Sequence, residues 1–238
     1  MSTTRIELQP AHVLHRRPYR DTSLLVEAFS RDHGRVGLVA KGVRRGRGNR
    51  AGLLQAFQPL LLSWSGRGEL ATLTAVEAAG PATVPGGPDL YAGFYLNELL
   101  LRLLRRHDPH PELYAVYAEV VRHVAAGNDV EWALRLFEVH LLEGMGYGLS
   151  LLEQGDGGPL EPEACYRYRL ESGPVPATAG ADGIEVHGRT LLALAHGAEP
   201  DARVRDEAKR LLRAALRLYL GDRPLKSREL YRTSKKIL

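Results

Sequence analysis

Between positions 41 and 50 the chain reads Lys41-Gly42-Val43-Arg44-Arg45-Gly46-Arg47-Gly48-Asn49-Arg50, five cationic side chains with no anionic one. Guanidinium groups at this density suit phosphate contact, because each carries a permanent charge and a planar fork of donors. The intervening glycines make a poor helix and point to a mobile loop between strands. Arg16, Arg17, Arg20 and Arg35 stand before this run, and Tyr19 and Phe57 flank it with rings able to stack on a base. On a small barrel these cations converge on one side and meet the phosphates of a single strand or a short duplex. A second basic set, Arg210, Arg213 and Arg217, follows helical spacing near the other end of the chain. A third constellation is Trp132, Arg135 and Leu136, where an arginine beside an apolar helix stripe suits an acidic, aromatic-ended peptide. Pairing of Arg135 with Glu131 or Glu138 at helix spacing is the competing reading.

Catalytic patterns are absent by comparison. The nine histidines are scattered, and His107, Asp108 and His110 are held in a loop by Pro109 and Pro111 rather than gathered as ligands. No serine or threonine sits in a strand–elbow–helix setting that would make it a nucleophile. The glycines at 34–37 and 42–48 match neither a dinucleotide fingerprint nor a phosphate-binding loop ending in Gly-Lys-Ser/Thr. The expectation is a binding protein rather than an enzyme, with no metal and no cofactor.

Charge is distributed unevenly. The 238 residues carry a formal net charge of only +4. Residues 1–80 hold 12 Lys/Arg against 6 Asp/Glu, residues 81–200 hold 8 against 17, and residues 201–238 hold 12 against 5. Two basic ends therefore flank an acidic middle, which suits a polyanionic partner better than the total suggests. The start of the chain leads into no apolar signal segment and no run approaches 18 apolar residues, so export and membrane contact are not expected. The single cysteine, Cys165, excludes an internal disulfide and any all-cysteine zinc site, and fits a reducing cytoplasm.

The elements that position these side chains fall into two periods. Residues 1–80 contain five short strand patterns, over 11–15, 22–29, 35–40, 60–64 and 69–76, with the glycine/arginine loop in the middle and no convincing helix. A small closed barrel of the OB or SH3-like kind hides the edges of such a sheet. Three prolines within 81–88 mark a linker. Helical spacing then begins at Asp89, read as a cap, and gives helices over 89–106, 111–125 and 130–142 that suit one antiparallel body. Residues 151–190, rich in Gly, Pro and Glu, form a small irregular insertion with brief strands at 166–170 and 184–186. Residues 191–238 complete the helical domain with a strong helix over 202–220 and a basic tail. The fold class is thus α+β and multidomain: an N-terminal five-stranded barrel and an all-helical body interrupted by a small insertion.

Several stretches can be taken together: His12-Val13-Leu14-His15, Tyr19-Arg20-Asp21-Thr22-Ser23-Leu24, Gly34-Arg35-Val36-Gly37-Leu38-Val39-Ala40-Lys41-Gly42, and Leu60-Leu61-Leu62 with Gly66-Arg67-Gly68-Glu69-Leu70. Tyr95-Leu96-Asn97-Glu98-Leu99-Leu100, Leu134-Arg135-Leu136-Phe137-Glu138, Gly144-Met145-Gly146-Tyr147-Gly148 and Arg223-Pro224-Leu225-Lys226-Ser227-Arg228-Glu229-Leu230 continue the series, in order, over nearly the whole chain. Together these stretches resemble the RecO family of DNA repair proteins. The resemblance implies an OB fold, a helical body and a zinc-finger-like insertion. It also implies a recombination mediator that binds single- and double-stranded DNA and anneals complementary strands. With its partner RecR such a protein promotes loading of RecA onto DNA coated by single-stranded-DNA-binding protein. It binds the acidic C-terminal tail of that coat protein through the helical body. A cytoplasmic, nucleoid-associated location follows. Many relatives carry two close cysteine pairs after the glycine-rich turn. Here only Cys165 remains, so no zinc is expected, and the insertion is held by packing alone or is partly disordered. An RNA-binding or ribosome-associated barrel and a scaffold that binds only proteins are the alternatives.

Overall fold

The structure, a computed structural model, describes residues 5–44, 50–66, 68–177, 182–221 and 223–230. Five strands, β1 (Arg5–Tyr19), β2 (Ser23–Ser30), β3 (Gly34–Ala40), β4 (Pro59–Ser65) and β5 (Ala71–Ala78), close into a barrel in the order β1-β2-β3-β5-β4. All pairings are antiparallel except β3 with β5, where Leu38 and Val39 lie beside Ala71 and Thr72. Strand alternation sends Leu24, Val26 and Ala28 of β2 inward, together with Val36, Leu38 and Ala40 of β3, so that every edge is paired around one apolar filling.

β1 runs through Arg16-Arg17-Pro18, where the sequence suggested a stop. It serves two neighbours in turn, β4 from Arg5 to His12 and β2 from Ala11 to Tyr19. Past Val13, which bridges Ala56, β1 is paired with β2 alone among the strands, which tolerates a proline without a donor. A one-turn helix, α1 (Arg50–Leu53), was not expected in this half of the chain. Leu54, which follows it, and Val43 are buried in the barrel core with Ala51 and Leu53 packed against them. Both ends of the basic run are thus fixed by apolar anchors, whereas the whole run was read as a mobile loop.

The chain divides into two compact units, Met1–Val130 with Pro224–Leu238, and Glu131–Arg223. In the first, α2 (Asp89–Leu103) and α3 (Pro111–Ala125) bury an apolar face against the outside of the barrel. Pro88 rather than Asp89 takes the cap position of α2. Asn97 donates to the carbonyl of Leu14 (3.0 Å) and accepts from the hydroxyl of Tyr117 (2.7 Å), fixing both helices to β1. Residues 224–228 return to the outer side of α2. The Glu98 carboxylate accepts from the main-chain N–H groups of Lys226 and Ser227 and from the Ser227 hydroxyl at 2.7–3.0 Å. Arg228 lies over the Tyr95 ring and donates to its hydroxyl.

The second unit contains almost all of α4 (Val130–Gly144), so the three helices read from sequence as one body are shared between the units. It continues with a three-stranded antiparallel sheet, β7-β6-β8, of β6 (Cys165–Arg169), β7 (Gly173–Pro176) and β8 (Ile184–His187), then α5 (Gly188–His196) and α6 (Ala202–Leu220). The insertion is therefore more regular than its composition suggested. β7 escaped notice because Gly173-Pro174-Val175-Pro176 has two residues without a donor and no alternation. Asp201 caps α6 by accepting from the Val204 N–H (2.8 Å). Glu207, 4% exposed, accepts from the His187 N–H and the Thr190 hydroxyl and pairs with His187 Nδ1, joining α6 to β8 and α5. Burial pushes this carboxyl up, but those hydrogen bonds outweigh it and leave its pKa below the usual glutamate range.

Residues 153–159 form a tight turn. The Gln154 N–H donates to Gly158 O and its side chain to Pro159 O, the Gly157 N–H returns to Gln154 O, and Asp156 accepts from the Gly158 N–H. Hydrogen bonds thus supplement packing in holding the insertion. A zinc ion does not fit here: among the described residues no group of three His, Cys, Asp or Glu side chains is placed to hold a metal.

Candidate nucleic-acid interface

The hairpin between β1 and β2 and the turn after β3 occupy the same end of the barrel. Tyr19 pairs with Ser23, and Leu24 pairs with Ala40, which brings residues 20–22 beside residues 41–44. The Arg44 N–H donates to Thr22 O (3.0 Å), and its guanidinium reaches Arg20 O (3.4 Å). Arg16 donates to Ala51 O (2.6 Å), tying β1 to α1, whose first residue is Arg50. Six cations, Arg16, Arg17, Arg20, Lys41, Arg44 and Arg50, are thereby gathered at one end, all exposed. Arg20 adopts φ 52 and lies over the Tyr19 ring, 5.3 Å from its centroid. Asp21 is the carboxylate within this hairpin. Arg45 and Arg47 lie outside the described residues.

Two of the residues selected from sequence are elsewhere. Arg35 is the second residue of β3, at the far end of the strand, where its guanidinium donates to Leu101 O near the end of α2. Burial pulls its pKa down, with Glu27 opposing and Arg106 reinforcing that shift, so it is an internal fastening rather than a phosphate ligand. Phe57 is 1% exposed and packs on Gly93 and the ring of Phe94, which removes it as a stacking surface. The backbone of Gly93 admits the Phe57 ring closely enough that a Cβ there would lie 2.7 Å from it.

The outer face of strands β2 and β3, where OB folds commonly hold oligonucleotides, is largely covered. His12 and Phe29 point out of the barrel but are 5% and 0% exposed, because Tyr114 and Tyr117 of α3 pack on both. Arg106 pairs with Glu27 of β2 and donates to Glu69 O in the β4–β5 turn (3.2 Å). The His107 N–H donates to Arg35 O (3.0 Å). The exposed cations at the opposite end lie outside this covered face. Sequence reasoning missed this restriction, since the covering residues lie some 70 to 100 positions further on.

In the second unit Lys209, Arg210, Arg213 and Arg217 line an open groove of about 560 Å³ along α6, with Asp206 and Ala214. Lys209 pairs with Glu131 (2.8 Å) and Arg210 reaches Glu185 O (3.3 Å). Among the described residues, Arg213 and Arg217 meet no carboxylate. The peptide constellation is not open as anticipated. Trp132 is 6% exposed, and Arg135, 7% exposed, forms an ion pair with the fully buried Glu138 at 2.7 Å. Leu136 is partly buried beside Gly197. The competing reading of Arg135 as a helix-spaced partner of Glu138 is the one the geometry fits.

A closed five-stranded barrel in this order, with a helix between β3 and β4, is an OB fold, here joined to a helical region and a separate small sheet. The family model described as "Recombination protein O N terminal" matches residues 1–82, and that described as "Recombination protein O C terminal" matches residues 87–229. The chain is 55% identical to the DNA repair protein RecO of Nitrosococcus oceani over 95% of its length and 93% of the relative. It is 54% identical to that of Alkalilimnicola ehrlichii over 98% and 93%, and 53% identical to that of Methylococcus capsulatus over 97% and 95%. The chain belongs to the RecO family of DNA repair proteins, and its role lies in DNA repair and recombination. No helix among the described residues is long and apolar enough to cross a membrane.

Proposed function

We propose that this chain is a recombination mediator that binds DNA through the cationic end of its barrel, anneals complementary strands and, with RecR, promotes RecA loading onto DNA coated by single-stranded-DNA-binding protein. The observation that carries this reading is the gathering of six exposed cations from β1, two turns and α1 at one end of the barrel. Arg45 and Arg47 extend the same run. Such a surface engages backbone phosphates without regard to sequence, as a mediator working on arbitrary gaps requires. The exposed cations of α6 supply a second polyanion-binding surface, for DNA or for the acidic tail of the coat protein. With Arg135 engaged by Glu138, such a tail meets the helical unit at Arg213 and Arg217 rather than at the Trp132 stripe.

Fluorescence-anisotropy binding to a labelled single-stranded oligonucleotide across a salt series tests the barrel assignment. Arg17, Lys41 and Arg50 have exposed side chains that no described residue engages, so their joint change to alanine leaves the fold intact. The triple variant should bind more weakly, with a slope of log K against log salt shallower by about 0.7 for each phosphate it no longer neutralises. An unchanged slope would reject the assignment. Parallel samples with an RNA oligonucleotide separate DNA repair from an RNA-binding role.

A further inference from the structure

Tyr19 and Arg20 stand at the tip of the cationic end, and their geometry is unusual for a hairpin. Arg20 occupies the left-handed region at φ 52, a conformation that residues with a Cβ seldom adopt outside functional or tightly determined turns. That kink folds the arginine back so that its guanidinium covers the ring of the preceding tyrosine, 5.3 Å from the centroid. The turn is held from outside as well, because Arg44 donates from its main chain to Thr22 O and from its guanidinium to Arg20 O. The Tyr19 ring is neither buried nor engaged through its hydroxyl by any described residue.

We infer that Tyr19, backed on one face by Arg20, is a platform for a single unpaired base, which makes the barrel end selective for single-stranded DNA. This inference rests on the DNA-binding function proposed above. A base stacks on an aromatic ring largely regardless of its identity, and a cation against the opposite face adds to the attraction. With Arg20 on one side, only one base has room on the other. In a duplex both faces of every internal base are already stacked and its edge is paired, so only a single strand or a frayed end supplies the ligand. Charge around the hairpin sorts base from backbone in the same sense. Arg16, Arg17, Lys41, Arg44 and Arg50 draw phosphates to the flanks, whereas the exposed carboxylate of Asp21 keeps them from the turn itself.

The test compares a dT oligonucleotide with an abasic oligonucleotide of equal length and charge, each bound to wild-type protein, Tyr19→Ala, Tyr19→Phe and Arg17→Ala/Lys41→Ala. Thermal melts establish that each variant is folded. Wild type and Tyr19→Phe should prefer dT to the abasic strand by about tenfold or more, and Tyr19→Ala should lose that preference while its abasic binding is unchanged. Wild-type binding of the abasic strand as tight as of dT, or a Tyr19→Ala variant that keeps the preference, would overturn the platform. If Arg17→Ala/Lys41→Ala binds both strands like wild type, the barrel-end reading itself fails. If that variant weakens both equally while Tyr19→Ala matches wild type, only the platform is lost.

Discussion

His12 lies between the rings of Tyr114 and Tyr117, whose centroids are 5.5 and 5.3 Å from its own, and burial lowers its pKa to about 4. An unfolded histidine titrates near 6.5, so the folded chain binds this proton more weakly than the unfolded one. Stability from this residue is complete above that value and is lost as pH falls towards 4, by roughly 3 kcal/mol in all. Urea unfolding of His12→Leu between pH 4 and 7 should show a flatter pH dependence than wild type. Arg135 and Glu138 make a second residue-scale case. Arg135→Met alone leaves a carboxylate buried without its cation and should cost about 3–5 kcal/mol, whereas Arg135→Met/Glu138→Leu should recover much of that loss. Urea midpoints of the two variants decide it. These residues also mark how far sequence reading reaches. That Arg16, Arg17, Arg20, Lys41, Arg44 and Arg50 are exposed was legible in the sequence, because charge on a solvated turn is a local property. The engagement of Arg35 and Phe57 was not legible, because it depends on α2, which joins the barrel only in three dimensions.

Among the elements, the strands announced themselves by alternation and the helices by their apolar stripes, so barrel and helical region were legible from local pattern. The length of β1, the helix α1 and strand β7 were not, because each owes its existence to neighbours or to hydrogen bonding rather than to its own composition. The segment 224–228 is held to α2 largely by one carboxylate with three donors. Glu98→Gln retains a single acceptor oxygen there and should lower the melting temperature by roughly 5 °C while raising hydrogen exchange at Lys226 and Ser227. Gly34 fixes another junction. It has φ +62, and a Cβ on it would fall 2.0 Å from the carbonyl oxygen of Asp108. Gly34→Ala must therefore strain the turn and push away the connection between α2 and α3, at a cost of more than about 2 kcal/mol in a urea titration.

For the whole molecule, the uneven charge visible in the sequence includes a basic surface on each unit. Arg213→Ala/Arg217→Ala changes exposed residues only, so it should leave the melting temperature within about 2 °C of wild type and still reduce the salt dependence of DNA binding. A slope equal to that of wild type would restrict DNA to the barrel. The order of the units along the chain has a consequence of its own. Residues 224–230 belong with the barrel and α2, yet they follow the whole of the second unit in sequence. During synthesis the barrel strands and α2 leave the ribosome early, but Glu98 must wait for donors that follow the whole of the second unit. The unit begun first is therefore completed last, and a chain cut short at Arg223 would hold every residue of the second unit while leaving the first unfastened.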